Sequence, residues 1–140
     1  IYPPKTKATE FLYHYSRYFN SVELNTTHYR IPSLEQVHQW RSQVPDDFLF
    51  CPKIFQGISH DSRGLIDPEL NRSWHEFLHE LGAHRGPSFL QLPPHFDYQQ
   101  KALLFQFLKM WPDEFSLALE FRHASWFQEN HVFSALTEYL

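Results

Sequence analysis

Four apolar segments that read as strands are each separated from the next by a stretch long enough for a helix, and no hairpin turn joins any two of them. Antiparallel neighbours need only a tight turn, whereas parallel neighbours need a crossover of about a dozen residues or more, usually a helix. Strict alternation therefore predicts an α/β chain with parallel strands. The strand segments are "NSVELNTT", "FLFCPKIF", "PSFLQLPP" and "SLALEFRH". Pro52 lacks the amide hydrogen a central strand would use, so pairing is expected to stop near Cys51 or to lack a neighbour there.

The helix signals lie between these segments. Residues 6–19 place Phe11, Leu12, Tyr15, Tyr18 and Phe19 at helical spacing, with Thr6 as a cap. Ser33 and Gln36 form a capping-box signature ahead of Val37, Trp40 and Val44. Asp67 as cap and Pro68 in the first turn open a helix striped with Leu70, Trp74, Phe77, Leu78 and Leu81 and closed by Gly82. Asp97 with Gln100 opens another helix, carrying Leu104, Phe107, Leu108 and Trp111, and residues 130–140 read as helical again.

Strand periodicity distinguishes an open doubly wound sheet from a closed barrel. In "SLALEFRH" Leu117, Leu119 and Phe121 share one face, while Ala118, Glu120 and Arg122 share the other. The pattern recurs: Glu23 and Asn25 oppose Val22 and Leu24, Lys53 opposes Phe50 and Ile54, and Gln91 opposes Leu90 and Leu92. An open parallel sheet covered on both sides prefers apolar residues on both faces. A TIM-type (β/α) barrel instead admits polar groups at its C-terminal rim, where its active sites lie. Such a barrel has eight strands and about 250 residues. Four strands in 140 residues opening on Ile1 are thus expected to be part of one α/β barrel domain, residues 1–140, lacking the first and the last strands.

The stretches "YPPKTKATEFL", "FNSVELNTTHYRIPS", "FLFCPKIFQGISHD", "GPSFLQLPPHF" and "LALEFRHASWF" follow one another in an order that resembles the YecE-like family, domain of unknown function 72, across nearly the whole chain. The resemblance implies an α/β barrel, in agreement with the periodicity, and carries no assigned reaction. It places the family's recurrent polar positions on Glu23, Asn25, Tyr29, Lys53, His60, Gln91, Glu120, Arg122, His123 and Trp126.

At a barrel mouth Glu23 and Glu120 suit general acid/base work, tuned by Arg122 and Lys53. The structural alternative is a salt bridge between Glu120 and Arg122. Lys53 and Arg122 also suit a carboxylate or phosphate on a ligand, Arg through its forked geometry. His60 and His123 each follow a strand and could move protons or ligate a metal, although ordinary loop histidines are common in a chain with ten of them. Asn25 and Gln91 suit hydrogen bonds to substrate hydroxyls, and Tyr29 and Trp126 could wall a ring, or simply pack.

His75, Glu76 and His79 in "HEFLH" have the H-E-x-x-H spacing of zinc hydrolases. Gly82 and His84 follow, but Arg85 occupies the position of the extended motif's third histidine. The stripe through Trp74, Phe77 and Leu81 turns both histidines away from the buried side, so they are expected to form a solvated face and no metal site is assigned.

A net charge of -4 offers no footprint for a nucleic-acid backbone or an anionic membrane. The lone Cys51 and the lack of an apolar run of about 20 residues fit a cytoplasmic location. The expected partner is a small molecule; cofactor and oligomeric state stay open. The leading reading is an acid/base enzyme acting on a small polar or anionic substrate, with carbohydrate-like molecules among the candidates. A noncatalytic barrel binding a metabolite or a protein partner is the alternative, and a zinc hydrolase on the "HEFLH" helix the third.

Overall fold

The computed structural model describes residues 1–128 and residue 136. The helix expected over 130–140 therefore lies outside the described residues apart from Leu136. Four strands, β1 (Ser21–Leu24), β2 (Leu49–Pro52), β3 (Ser88–Gln91) and β4 (Leu117–Glu120), alternate with helices as the sequence predicts. The helices are α1 (Phe11–Tyr15), α2 (Leu34–Arg41), α3 (Gln56–Ser59), α4 (Pro68–Leu81) and α5 (Lys101–Met110). β1 pairs with β2 and β3 with β4, both in parallel. Two isolated parallel bridges, Phe50 to Arg85 and Lys53 to Phe89, join the pairs, so neighbours follow chain order.

Pro52 explains why the middle seam is only bridged. Leu49 and Lys53 donate their amides to Asn20 and Leu24 on the β1 side, while Ile54 donates to Phe89 on the β3 side. Alternation turns the vacant position of Pro52 toward β3, so the β1–β2 ladder runs through Pro52 while the β2–β3 ladder is interrupted there. Gly86 lets the seam close: its amide donates to the Phe50 carbonyl at 2.8 Å, and a Cβ on it would lie 2.7 Å from Cys51 Sγ.

One face of the strands packs under the helices. Phe50, Ile54, Leu90 and Leu92 are buried there with Val37 from α2, Trp74, Phe77, Leu78 and Leu81 from α4, and Leu104 and Phe107 from α5. Burial of each such side chain stabilises the fold by about 1.5–3 kcal/mol before chain entropy is counted. Ser33 Oγ accepts from the Gln36 amide, and Asp67 Oδ1 from those of Glu69 and Leu70, so α2 and α4 start at their predicted caps. Asp97 and Gln100 form the reciprocal capping box, although a single 3₁₀ turn, Tyr98–Gln100, precedes α5.

The first helix is shorter than the apolar spacing over 6–19 predicts. A 3₁₀ turn over Ala8–Glu10 leads into the five-residue α1, and Thr6 caps no helix; its hydroxyl donates to the Pro3 carbonyl. Tyr18 and Phe19 lie beyond α1 and are exposed. Four helical residues, α3, also form inside the segment between β2 and α4, ahead of the helix that Asp67 opens.

The solvated face expected for His75 and His79 holds for His79, which is exposed, and needs correction for His75. The loop between α5 and β4 folds over α4, and the His75 ring lies edge-on to Trp111 with a ring-centre distance of 5.4 Å. His79 meets Phe115 at 4.9 Å, and its Nε2 is 3.3 Å from a Glu114 carboxylate oxygen. The helix stripe alone does not reveal this second buried flank, because Trp111 and Phe115 come from a loop distant in sequence. His75 is half-buried, and its Nε2 has no hydrogen-bond partner among the described residues. Burial, and then His79, hold its pKa below the ordinary value, while Glu114 acts in the opposite sense.

Candidate functional site

The other face of the strands carries the polar residues, which collect at the C-terminal ends of β2, β3 and β4. The period of two that buries Ile54, Leu90 and Leu92 turns Lys53 and Gln91 to the opposite side. Parallel register then sets Gln91 opposite Glu120 and places Lys53 against the start of the same pair. The Lys53 ammonium donates to Gln91 Oε1 at 3.0 Å, and Gln91 Nε2 donates to both Glu120 oxygens, at 3.0 and 3.1 Å. Arg122 Nε lies 4.0 Å from Glu120 Oε1. Cation, amide, carboxylate and cation thus form one row across three strand ends.

The row fixes the Gln91 amide, since an ammonium can only donate and a carboxylate can only accept. It also leaves the charges usable: the side chains of Glu120 and Arg122 are 40% and 45% exposed. A ligand anion can reach Lys53 and Arg122 without unfolding the strands, and Glu120 can exchange a proton with it.

Histidines gather around the row. Thr27, buried in the 3₁₀ turn Asn25–His28, holds its hydroxyl 2.6 Å from the Leu24 carbonyl oxygen and 2.7 Å from that of Lys53. That clamp sets His28 against the end of β2, where Nδ1 donates to the Ile54 carbonyl at 3.0 Å. His60 follows α3, and its ring centre lies 4.9 Å from that of His28, edge to face. Burial first, then His28, Lys53, His95 and Arg122, lower the His60 pKa. Asn71, buried in α4, donates to the Asp67 and Leu65 carbonyls at 2.7 and 3.1 Å and braces the turn after His60.

The remaining predicted positions fall differently. Glu23 is exposed on β1 opposite Cys51 and stands outside the row; burial, and then the Glu23 carboxylate, push the Cys51 thiol upward. Asn25 is exposed at the start of the turn that carries His28, and Tyr29 is 71% exposed beyond it. His123 Nδ1 accepts from the Ser125 amide at 3.2 Å, capping the 3₁₀ turn Ala124–Phe127.

Trp126 in that turn is fully buried, stacked on Phe121 at 4.5 Å, with its indole nitrogen donating to the Phe96 carbonyl at 2.8 Å. It packs the turn beyond β4 and presents no ring face to a ligand in this structure. His28 and His95 are the rim residues that strand reasoning missed. Both lie in segments after strands, and the only sequence signal for them was that position.

Among the described residues no group of three or more His, Cys, Asp or Glu side chains is arranged to hold a metal ion. Among them, too, no helix is long and apolar enough to cross a membrane.

The family model described as "Protein of unknown function DUF72" matches residues 1–140. The chain is 38% identical over 113 residues to the UPF0759 protein YecE of Escherichia coli K12, covering 81% of this chain and 42% of that protein. It is 30% identical to the UPF0759 protein YunF of Bacillus subtilis 168, with 91% and 48% covered. A crystal structure of a DUF72 family protein from Enterococcus faecalis V583 superposes with a TM-score of 0.77 at 25% identity, over 96% of this chain and 56% of that one. Another from Thermotoga maritima MSB8 gives 0.74 at 27% identity, over 99% and 55%. The chain therefore spans a little under half the length of those two relatives and just over half of those two solved chains.

Proposed function

The chain belongs to the DUF72 family, and from that premise we propose that its four strands form an arc of a closed (β/α) barrel whose C-terminal rim is an acid/base active site for a small polar or anionic substrate. Three features support the barrel: parallel strands neighbouring in chain order, helices packed on one face, and polar side chains gathered on the other at the strand ends.

The single observation that carries the function is the row Lys53–Gln91–Glu120–Arg122. Glu120 is the proton-handling group, Lys53 and Arg122 hold the substrate's negative charge, and Gln91 orients both sides. Glu23 is a second carboxylate for the same chemistry, His60 the histidine placed to relay a proton, and His123 the residue that shapes the turn beyond β4. Asn25 and Tyr29 flank the mouth and suit hydroxyl groups of a carbohydrate-like substrate. A small molecule, rather than a nucleic acid or a membrane, is the partner this rim fits.

The test uses the full-length protein with sugars and with phosphorylated or carboxylated metabolites. Glu120→Gln is expected to abolish turnover while retaining ligand, and Arg122→Ala to weaken anionic ligands. Unchanged binding and turnover in both variants would refute the reading. Binding that survives Glu120→Gln, with no turnover in the parent protein, would favour a noncatalytic barrel.

A further inference from the structure

We propose that the rim takes up a proton when it binds an oxyanion, a phosphate or carboxylate of the ligand, and that His28 and His60 are the pair that closes on it alongside Lys53 and Arg122. The inference rests on the rim reading above and adds to it two anion-binding residues and a stoichiometry.

The two imidazoles are prepared alike. A carbonyl can only accept, so the contact between His28 Nδ1 and the Ile54 oxygen places the His28 hydrogen on Nδ1. Ser59 donates its hydroxyl hydrogen to the Phe55 carbonyl at 3.4 Å, which leaves its oxygen to accept from His60 Nδ1 at 2.7 Å. In both rings Nδ1 is engaged and Nε2 is the nitrogen left to meet a ligand. Each anchored Nδ1–H also fixes ring orientation, so a protonated Nε2–H points in a set direction without further ordering.

The surroundings bear on the charge of His60. His28 comes from the turn after β1, Lys53 from the end of β2, His95 from the segment after β3 and Arg122 from the residues after β4; all four disfavour a charged His60. Of the nearby carboxylates, Glu120 is engaged by Gln91 and Arg122, and Glu23 stands over Cys51. Asp61 lines a small cavity with His60 and His95 and is solvent-exposed.

Two neighbouring imidazolium rings beside an ammonium and a guanidinium repel one another, so without a bound anion the charged form of His60 is disfavoured. An anion placed among the four groups reverses the sign of the local field. Protonation of Nε2 then becomes favourable and supplies a further charge-assisted donor to the ligand. By linkage, a site that gains a proton on binding must bind more tightly as pH falls, by up to about tenfold per pH unit for one proton.

The experiment is calorimetry on the full-length protein with sulfate, a phosphate mimic that does not itself titrate near neutrality, and with acetate, in buffers of different ionisation enthalpy. At least one anion is expected to bind with net proton uptake and several-fold more tightly at pH 6 than at pH 7. Sulfate alone would assign a phosphate-type ligand, and acetate alone a carboxylate. His28→Gln and His60→Gln should each reduce the uptake while leaving a weaker, less pH-dependent site. Histidine NMR titration of the unmutated protein should show the His60 pKa rising when the anion is added, a readout that does not depend on any variant folding.

Binding without proton uptake, and with the His60 titration unmoved, would overturn the inference and leave the rim reading intact, provided Lys53→Met still abolished binding. Binding unaffected by both Lys53→Met and Arg122→Ala would remove the rim reading as well. No binding of either anion would overturn the inference, and the rim reading as well if sugars also failed to bind.

Discussion

Gln91→Leu removes the amide that couples Lys53 to Glu120 while keeping a side chain of similar size. Three hydrogen bonds go with it, one from Lys53 and two to Glu120. Charge-assisted bonds contribute about 1.5–3 kcal/mol each when desolvated. Glu120 and Arg122, however, are more than a third exposed, so water and Arg122 replace much of what is lost. The working magnitude is therefore about 1–2 kcal/mol of stability rather than the simple sum.

The physical claim lies in the coupling, measured by a double-mutant cycle of Lys53→Met with Gln91→Leu on urea unfolding of the full-length protein. If the row acts as a unit, the double variant should lose about 1 kcal/mol less than the sum of the single changes, because the second substitution removes a bond already broken. Additive losses, within about 0.3–0.5 kcal/mol, would refute the idea that Gln91 links the two charges.

Gly64→Ala should cost about 1–3 kcal/mol in denaturant midpoint, because a Cβ there would lie 1.9 Å from the Gly57 carbonyl oxygen and force backbone to move; the same shift displaces α3, so ligand affinity at the rim should fall too. His75→Phe keeps the packing on Trp111 and removes a buried nitrogen that has no partner among the described residues, so stability at pH 7 should be unchanged or higher by about 1 kcal/mol. The native His75 pKa lies below its unfolded value, so the folded state loses stability as pH falls below about 6.5 and through the folded pKa. His75→Phe should accordingly flatten thermal stability below pH 6.5, and an unchanged pH profile would count against the burial of His75. Trp126→Phe retains ring stacking but loses the bond to the Phe96 carbonyl, and should cost about 1–2 kcal/mol by thermal unfolding.

The helices that local chemistry specifies were legible in the sequence. Ser33, Asp67 and the Asp97–Gln100 pair act through bonds within three residues, so their meaning travels with the sequence. Strand faces were equally legible, since alternation alone separates Lys53 and Gln91 from Ile54 and Leu90.

What could not be read depends on contacts distant in sequence. Gln91 can join Lys53 to Glu120 only because register brings three strands level. His28 reaches the rim through a Thr27 clamp on a carbonyl 26 residues away. His75 loses its solvated face because Trp111 and Phe115 fold back over α4. Helical spacing also overextended the first helix: Tyr18 and Phe19 sit at the right intervals but lie exposed beyond the end of α1.

The central claim is that the row at the strand ends is where this protein meets its ligand. The most direct test is thermal stabilisation of the full-length protein across a panel of sugars and phosphorylated or carboxylated small molecules, run in parallel on Lys53→Met and Arg122→Ala. The account predicts that anionic compounds stabilise the parent protein and lose that effect in both variants. Stabilisation that persists undiminished in both would place the ligand elsewhere and contradict the account.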